Sequence, residues 1–477
     1  MHYPIQVPHA TTAGQMQISS PFDGQIVGSV ETVGLQGVEQ ALHNAATRFA
    51  NRSQWLPAEQ RIQILRNMAE LMRQHYSELV NQSVAEGGKP LLDTRVEMDR
   101  AIDGILNCIE CIRHNAGHEI PMRLNPASAQ RLAFTQKEPI GVVVAVSAFN
   151  HPINLIVHQI GPAIATGCPV IIKPAEDTPL SAFALADLFT QAGLPDGWCQ
   201  AVMTTDHSTT EALVSDPRVG FFSFIGSARV GWMLRSKLAA GTRCALEHGG
   251  SAPVIIEADA DLDDILPRLA KGGFYHAGQV CVSVQRVFAH HTIAEVVANR
   301  LAELGNAMQV GDPALETTDV GPLIRHQETD RIESWVKEAL HEGAQQLSGG
   351  TRLSDALYPP TVLYQPGNSS KVSQREIFGP VICVYRYQDI DDAITRANAL
   401  PYAFQAAVAT QNINTALYAF QHLNASAVMI NDHTAFRVDW MPFAGLRESG
   451  YGTGGIPYTF NDMQIEKMAV IHSAALG

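Results

Sequence analysis

The stretch Gly141-Val-Val-Val-Ala-Val-Ser147 decides the fold. Its apolar, mostly β-branched run leaves no polar face, so a strand built from it is covered on both sides. Val170-Ile-Ile-Lys173, ending at Pro174, and Gly220-Phe-Phe-Ser-Phe-Ile-Gly226 repeat the pattern. Helical stretches follow each: Thr178 to Ala192, closed by Gly193, and Ser227 to Ala240. Short apolar strands alternating with helices predict an open parallel sheet with helices on both faces. A second series starts at Ala252-Pro-Val-Ile-Ile256. It runs through a helix at 262–275, a strand from Val284 to Ala289, helices at 292–308 and 325–343, and strands at 381–385 and 425–430. The fold class is therefore α/β, with two tandem open α/β domains. A chain of 477 residues is also too long for one core.

The flanks read differently. A β-rich lead spans Gly24 to Val33. Pro57 to Val84 carries Ile62, Leu65, Met68, Leu71 and Met72 at helical spacing, and Glu86-Gly-Gly-Lys-Pro90 breaks it. A further helix covers Thr94 to Asn115. The tail from Asp462 to Ile471 alternates like a strand. Lying far from both sheets, it is expected to pair with another subunit.

The formal charge is −14 with no Lys/Arg run, which excludes a nucleic-acid or membrane-surface role. No apolar run reaches the ~18 residues of a membrane span, and no basic-then-apolar leader opens the chain. The seven cysteines are scattered and odd in number. The only close pair, Cys108 and Cys111, fits one helix face as well as a redox or metal half-site. The pattern predicts a reducing, cytoplasmic compartment and no metal site.

Five groups could carry chemistry. Cys281 follows a Gly278-Gln279 turn with no second soft ligand nearby, so it is either a nucleophile or a buried small residue. Glu247, in Glu247-His-Gly-Gly250, could be a general base or an exposed loop acid. Asn150, ending a strand before His151-Pro152, could donate to an oxyanion or serve a turn. Lys173 and Glu176 lie at a strand's carboxyl end, where open α/β sheets bind ligands, and could equally form a solvated pair. Gly226-Ser-Ala-Arg-Val-Gly231 follows a strand and opens a helix. Free N–H groups there suit phosphate, although a plain strand-to-helix turn also needs glycine.

In this order, with Glu376-Ile-Phe-Gly-Pro380 and Pro442-Phe-Ala-Gly445, these groups closely resemble the aldehyde dehydrogenase superfamily. The resemblance runs from Glu86-Gly-Gly-Lys-Pro90 to the terminal strand and leans toward lactaldehyde, phosphonoacetaldehyde and semialdehyde dehydrogenases. It implies a Rossmann-like NAD-binding domain (1–120 and 140–248), a catalytic domain (249–450) and a small β oligomerisation arm (121–139 and 460–477). It implies that Cys281 attacks an aldehyde, Asn150 and the Cys281 N–H hold the oxyanion, and Glu247 activates water against the thioester. Lys173 and Glu176 would hold the adenosine ribose, Gly226, Ser227 and Gly231 the pyrophosphate, and Glu376 and Phe378 the nicotinamide end. An acid at 176 favours NAD, with NADP possible through Lys173.

Departures from the family pattern are His248 for the usual Leu, Ala148-Phe149 before Asn150, Ala444 in the Pro-Phe motif and Arg447 for a following Lys. None removes a catalytic atom. At positions where relatives with apolar substrates carry aromatics, this chain has His151, His158 and Arg437, with Arg100 at the tunnel mouth and Phe443 in the Pro-Phe motif. The resemblance thus implies a small hydrophilic, anionic aldehyde as substrate and a homodimer or homotetramer as assembly. The cationic groups could instead pair with Glu97, Asp99 or Asp439. A CoA-acylating semialdehyde dehydrogenase and a non-catalytic structural relative are the competing functions. The acid at 247 argues against the first, and the presence of Cys281, Glu247 and Asn150 together against the second.

Overall fold

The computed structural model describes residues 1–476. Val142–Val146 lies at the centre of a six-stranded sheet. Val170–Lys173 and Cys199–Ala201 extend the sheet to one side. Val219–Ile225, Arg243–Glu247 and Gly450–Tyr451 extend it to the other. Only the Gly450–Tyr451 edge is antiparallel. All five central residues are buried, as a strand covered on both faces requires. The chain leaves the Val142 strand toward one edge and later returns to its other side. That reversal opens a crevice at the carboxyl ends of the strands. The Asn150 loop, Lys173, Gly226 and Glu247 all sit at this end.

A second, seven-stranded sheet runs in the order Gln345–Ser348, Thr361–Tyr364, Val381–Tyr387, Arg286–His290, Pro253–Ile256, Gln405–Ala409, Ala427–Ile430. Only its first pair is antiparallel. Each sheet has its own apolar core, one around Val143, Ile160 and Phe189, the other around Val254, Leu269 and Val384. The α/β class and its two open sheets are thus the observed architecture.

The tail strand has one partner inside the chain. Gln464–His472 runs antiparallel to Arg131–Pro139, with Gln464 opposite Pro139 and His472 opposite Arg131. Glu119–Ile120 covers the far side of Arg131–Pro139, so the tail's outer edge is open. Two helices also differ from expectation. The stretch from Pro57 to Val84 is two helices, Ala58–Gln74 and Tyr76–Gly87, parted at His75. The apolar spacing runs on through the kink and so hides it. The helix expected from Ser227 to Ala240 is only Ala228–Arg235, because the chain passes into tighter turns from Ser236, with Lys237 N–H on the Leu234 carbonyl and Leu238 N–H on that of Arg235. Among the described residues no helix is long and apolar enough to cross a membrane.

Two buried carboxylates tie the N-terminal helices to the first sheet. Glu86 accepts the N–H groups of Leu180 (2.7 Å) and Ser181 (2.9 Å) at the start of the helix Leu180–Gln191. Glu97 accepts those of Ile153 (2.8 Å) and Asn154 (2.9 Å) at the start of Asn154–Thr166, and pairs with buried Lys89 at 2.6 Å. Each acid satisfies N–H groups that a helix start leaves open and lies at the positive end of its dipole. Glu97→Ala would leave Lys89 as an uncompensated buried charge. Removing one member of such a pair costs about 3–5 kcal/mol, so urea denaturation should show a loss of that size.

Candidate active site

A cavity of about 70 Å³ lies where the two sheets meet. Asn150, His151, Ile225 and Glu247 line it from the first sheet's side, and Cys281, Phe378, Ala435, Arg437 and Phe443 from the second. Cys281 follows a turn, Tyr275–Gly278, in which His276 and Ala277 have left-handed backbone. Gly278 is also left-handed, and a Cβ there would lie 2.2 Å from the Gly379 carbonyl oxygen. Only glycine permits this approach. It brings the Ile377-Phe-Gly-Pro380 motif against the cysteine loop.

Gln279 fixes the loop from within. Its side chain donates to the carbonyls of His276 and Pro322 and accepts the Ile324 N–H, while its own carbonyl accepts the Asn150 amide at 2.9 Å. Asn150 is therefore oriented by the loop that carries Cys281. Thr434 holds the other side through the Val282 carbonyl at 2.7 Å.

Glu247 ends the strand Arg243–Glu247, and its carboxylate lies against the backbone at Gly454. A Cβ at 454 would sit 1.9 Å from that carboxylate. Burial raises the Glu247 pKa, and Arg437 opposes the rise. Burial pushes the Cys281 thiol up to about 12, with Arg437 pulling it down and Glu247 and Glu376 adding to the rise. Without help, this thiol is protonated at neutral pH.

The cationic residues separate into two kinds. Arg100 makes a two-pronged bond to Asp439, at 3.0 and 2.7 Å. His158 lies beside the same carboxylate at 2.7 Å and is buried behind the cavity wall rather than on it. Of the two residues expected to meet substrate, His158 does not line the cavity. Arg100 does reach it, but its charge is matched by Asp439. Burial and Arg437 lower the His158 pKa to about 4, so its ring is neutral. A neutral ring that donates from Nε2 to Asp439 must accept at Nδ1, where Arg437 Nη2 stands at 3.3 Å. Arg437 itself lies 3.6 Å over the Phe443 ring, and its Nε has no partner. Among the described residues no carboxylate forms an ion pair with it.

The remaining expected residues lie along the crevice. Lys173 Nζ and Glu176 are 3.7 Å apart at the end of Val170–Lys173. Gly226 and Ser227 form the turn into Ala228–Arg235, with no side chain capping that helix, and Gly231 lies within it. Glu376 Oε1 accepts the Gly250 N–H at 3.1 Å, whereas its Oε2 accepts nothing among the described residues. Phe378 stands edge-on to Phe149. His248 is packed between Phe224 and Trp232, with Nδ1 2.9 Å from the Glu448 carbonyl. Sequence reasoning passed over Lys89 and Tyr275, and gave Glu97 and Asp439 no part beyond that of optional partners. The glycine-flanked Lys89, eight residues before Glu97, was the available signal.

A family model described as the aldehyde dehydrogenase family matches residues 9–469. The chain belongs to the aldehyde dehydrogenase family. This aldehyde dehydrogenase is 36% identical over 463 residues to the 3-sulfolactaldehyde dehydrogenase of Priestia megaterium, covering 97% of this chain and 96% of that one. Its structure matches aldehyde dehydrogenase 21 of Physcomitrella patens, in complex with the reaction product succinate, with a TM-score of 0.95 at 30% identity. That match covers 99% and 98% of the two chains. It also matches the glyceraldehyde-3-phosphate dehydrogenase of Methanocaldococcus jannaschii, complexed with NADP, with a TM-score of 0.91 at 32% identity over 96% and 99% of the chains.

In the free aldehyde dehydrogenase, alkylation of Cys281 by iodoacetamide should be slow at neutral pH. The thiol is raised in the folded chain, so its thiolate grows with pH and is fully present only above the raised value. The rate should climb by about tenfold per pH unit through the range where an ordinary thiol, with a pKa of ~8.5, would already level off. Levelling near that ordinary value would contradict the environment described.

Proposed function

We propose that the protein oxidises a small hydrophilic, anionic aldehyde to its carboxylic acid with NAD. One observation carries the substrate class: Arg437 is a half-buried arginine in the cavity that holds Cys281, its Nε is shut from water without a partner, and among the described residues no carboxylate is in ion-pair contact with it. A partly desolvated guanidinium with an unpartnered N–H is costly, and a substrate anion would offset that cost. The relatives named above support this reading, since their names carry a sulfonate, a dicarboxylic product and a phosphate.

The crevice residues fit a nicotinamide dinucleotide. Among the described residues Glu376 Oε2 is an acceptor without a partner, the turn after Gly226 leaves the Ser227, Ala228 and Arg229 N–H groups unbonded, and Lys173 with Glu176 offers both signs to a ribose. Residues 1–120 and 140–248 would then form the cofactor domain, and 249–450 the catalytic one. Lys173 and Glu176 would hold the adenosine ribose, Gly226, Ser227 and Gly231 the pyrophosphate, and Glu376 and Phe378 the nicotinamide end. A nicotinamide held there would supply the acceptor for the hydride lost by the aldehyde carbon. An acid at 176 would repel a 2′-phosphate on a ribose held there, which favours NAD.

Cys281 Sγ attacks the aldehyde carbon, with Glu247 as the acceptor for a thiol proton that burial otherwise retains. The Asn150 amide and the Cys281 N–H meet the developing oxyanion. One such donor is worth roughly 10²–10³ in rate. After oxidation leaves a thioester on Cys281, Glu247 gives the thiol proton up to solvent, then takes a proton from water as the water attacks; the C–S bond breaks, and the acid departs from the Cys281 thiolate. Glu247 in this position favours hydrolysis over transfer to CoA.

NADH or NADPH formation should be screened over charged and uncharged short aldehydes, with NAD and NADP in parallel and with CoA present or absent. The expected pattern is turnover with NAD, independent of CoA, with kcat/KM higher for anionic aldehydes. Arg437→Met should lower the anionic-to-neutral ratio by roughly tenfold or more. An unchanged ratio would sink the assignment of Arg437. Unaltered oxidation by Cys281→Ser would sink that of the nucleophile.

The open edge of Gln464–His472 carries Met468, Val470 and Ile471, all about half exposed. An apolar open edge is a pairing surface, and supports a homodimer or homotetramer with residues 121–139 and 460–477 as the arm. Sedimentation equilibrium should give a multiple of the chain mass. A monomer at micromolar concentration would remove the arm's proposed role.

A further inference from the structure

His151 and Lys89 form a contact that the scheme above leaves unused. His151 follows Asn150 directly and lines the cavity. Its Nδ1 lies 2.5 Å from Lys89 Nζ, which is buried and held at 2.6 Å by Glu97. A lysine ammonium has three donors and no lone pair. A ring nitrogen this close to it must accept, so the proton of a neutral His151 resides on Nε2. Among the described residues His151 Nε2 has no hydrogen-bond partner, yet it is not one of the atoms shut off from solvent without a partner. It therefore opens toward the cavity.

The surroundings keep the ring neutral. Burial first, then Lys89, His276, Arg100 and Arg437, hold its pKa well below the usual histidine value. Tyr275 and His276 pack against the ring at centroid distances of 6.5 and 6.0 Å. A charged donor would be indifferent to tautomer. A neutral one is a donor or an acceptor depending on which nitrogen is protonated.

We infer that Lys89 is a positioning residue that fixes His151 as its Nε2–H tautomer and so makes it a hydrogen-bond donor to an oxygen on the substrate chain beyond the aldehyde. This rests on the proposed site for an oxygen-rich aldehyde. The shared chemistry is an acceptor oxygen, carried either by a hydroxyl beside the carbonyl or by the anionic group. A site built around such a donor discriminates against analogues that leave it unpaired.

The first test needs no variant of Lys89. Long-range proton–nitrogen NMR correlations of the histidine-labelled whole protein, assigned with His151→Gln, should show His151 protonated at Nε2 and bare at Nδ1 at neutral pH. A ring protonated at Nδ1, or at both nitrogens, overturns the inference. The second test compares kcat/KM for lactaldehyde against propanal and for sulfoacetaldehyde against propanal. His151→Phe should lower at least one ratio by roughly tenfold, and His151→Gln, which keeps an N–H near the same point, should restore it to within about threefold. The pair that responds tells hydroxyl from anion. Unchanged ratios in His151→Phe, or Gln no better than Phe, overturn the inference. Adding Lys89→Met to His151→Gln should not lower the ratio further, since no tautomer remains to set. If that double variant does not fold, the wild-type spectrum decides. A wild-type protein that oxidises none of these aldehydes refutes the broader function, whereas NADH formation with the wrong tautomer refutes only this inference.

Discussion

The Glu97 carboxylate is the contact on which the site's geometry depends. One oxygen takes two backbone N–H groups at the start of Asn154–Thr166, and the other takes Lys89. The first bond pair fixes where that helix begins and hence where the Asn150-His151 loop ends. The second places an ammonium against His151. A single buried acid thus sets the position of one neighbour and the protonation of another. Its cost is the removal of a charge from water, and it is offset only because all of these donors converge on it.

Charge in the cavity is arranged by pairing. Arg100, Asn154 and His158 converge on Asp439, and Arg100 closes the charge balance there. Arg437 reaches that network only through a neutral imidazole. It is left as a positive field among Glu247, Cys281 and Phe443. The same field lowers the Cys281 pKa against burial and the acids, so under the proposed function substrate recognition and thiol chemistry would draw on one guanidinium.

Much of the fold was legible, because buried runs such as Val142–Val146 announce strands whatever surrounds them. The kink at His75 was not, since helical spacing continues across it. The short helix Ala228–Arg235 was overread because its apolar pattern outlasts its backbone. In the site, the motifs located Cys281, Glu247, Asn150 and the crevice residues along the chain, and the structure brings them to one cavity and its adjoining crevice. It was the partners that sequence reading could not assign. Arg100 and Asp439 are 339 residues apart, and local sequence carries no sign that one is committed to the other. The same holds for Lys89 and His151, whose contact is a product of the fold alone.

The missing side chain at 454 has a consequence for how this scaffold could diversify. Glu247 rests in space that any Cβ at 454 would claim, while Cys281 and Asn150 are held by a separate set of bonds through Gln279 and Thr434. Under the proposed scheme, enlarging residue 454 would displace the base and leave the nucleophile loop intact. Oxidation and deacylation would then come apart, and the acyl group would wait for another acceptor. Whether this lineage releases acids or becomes an acyl donor could turn on a single methyl group, distant in sequence from the cysteine that carries the acyl chain.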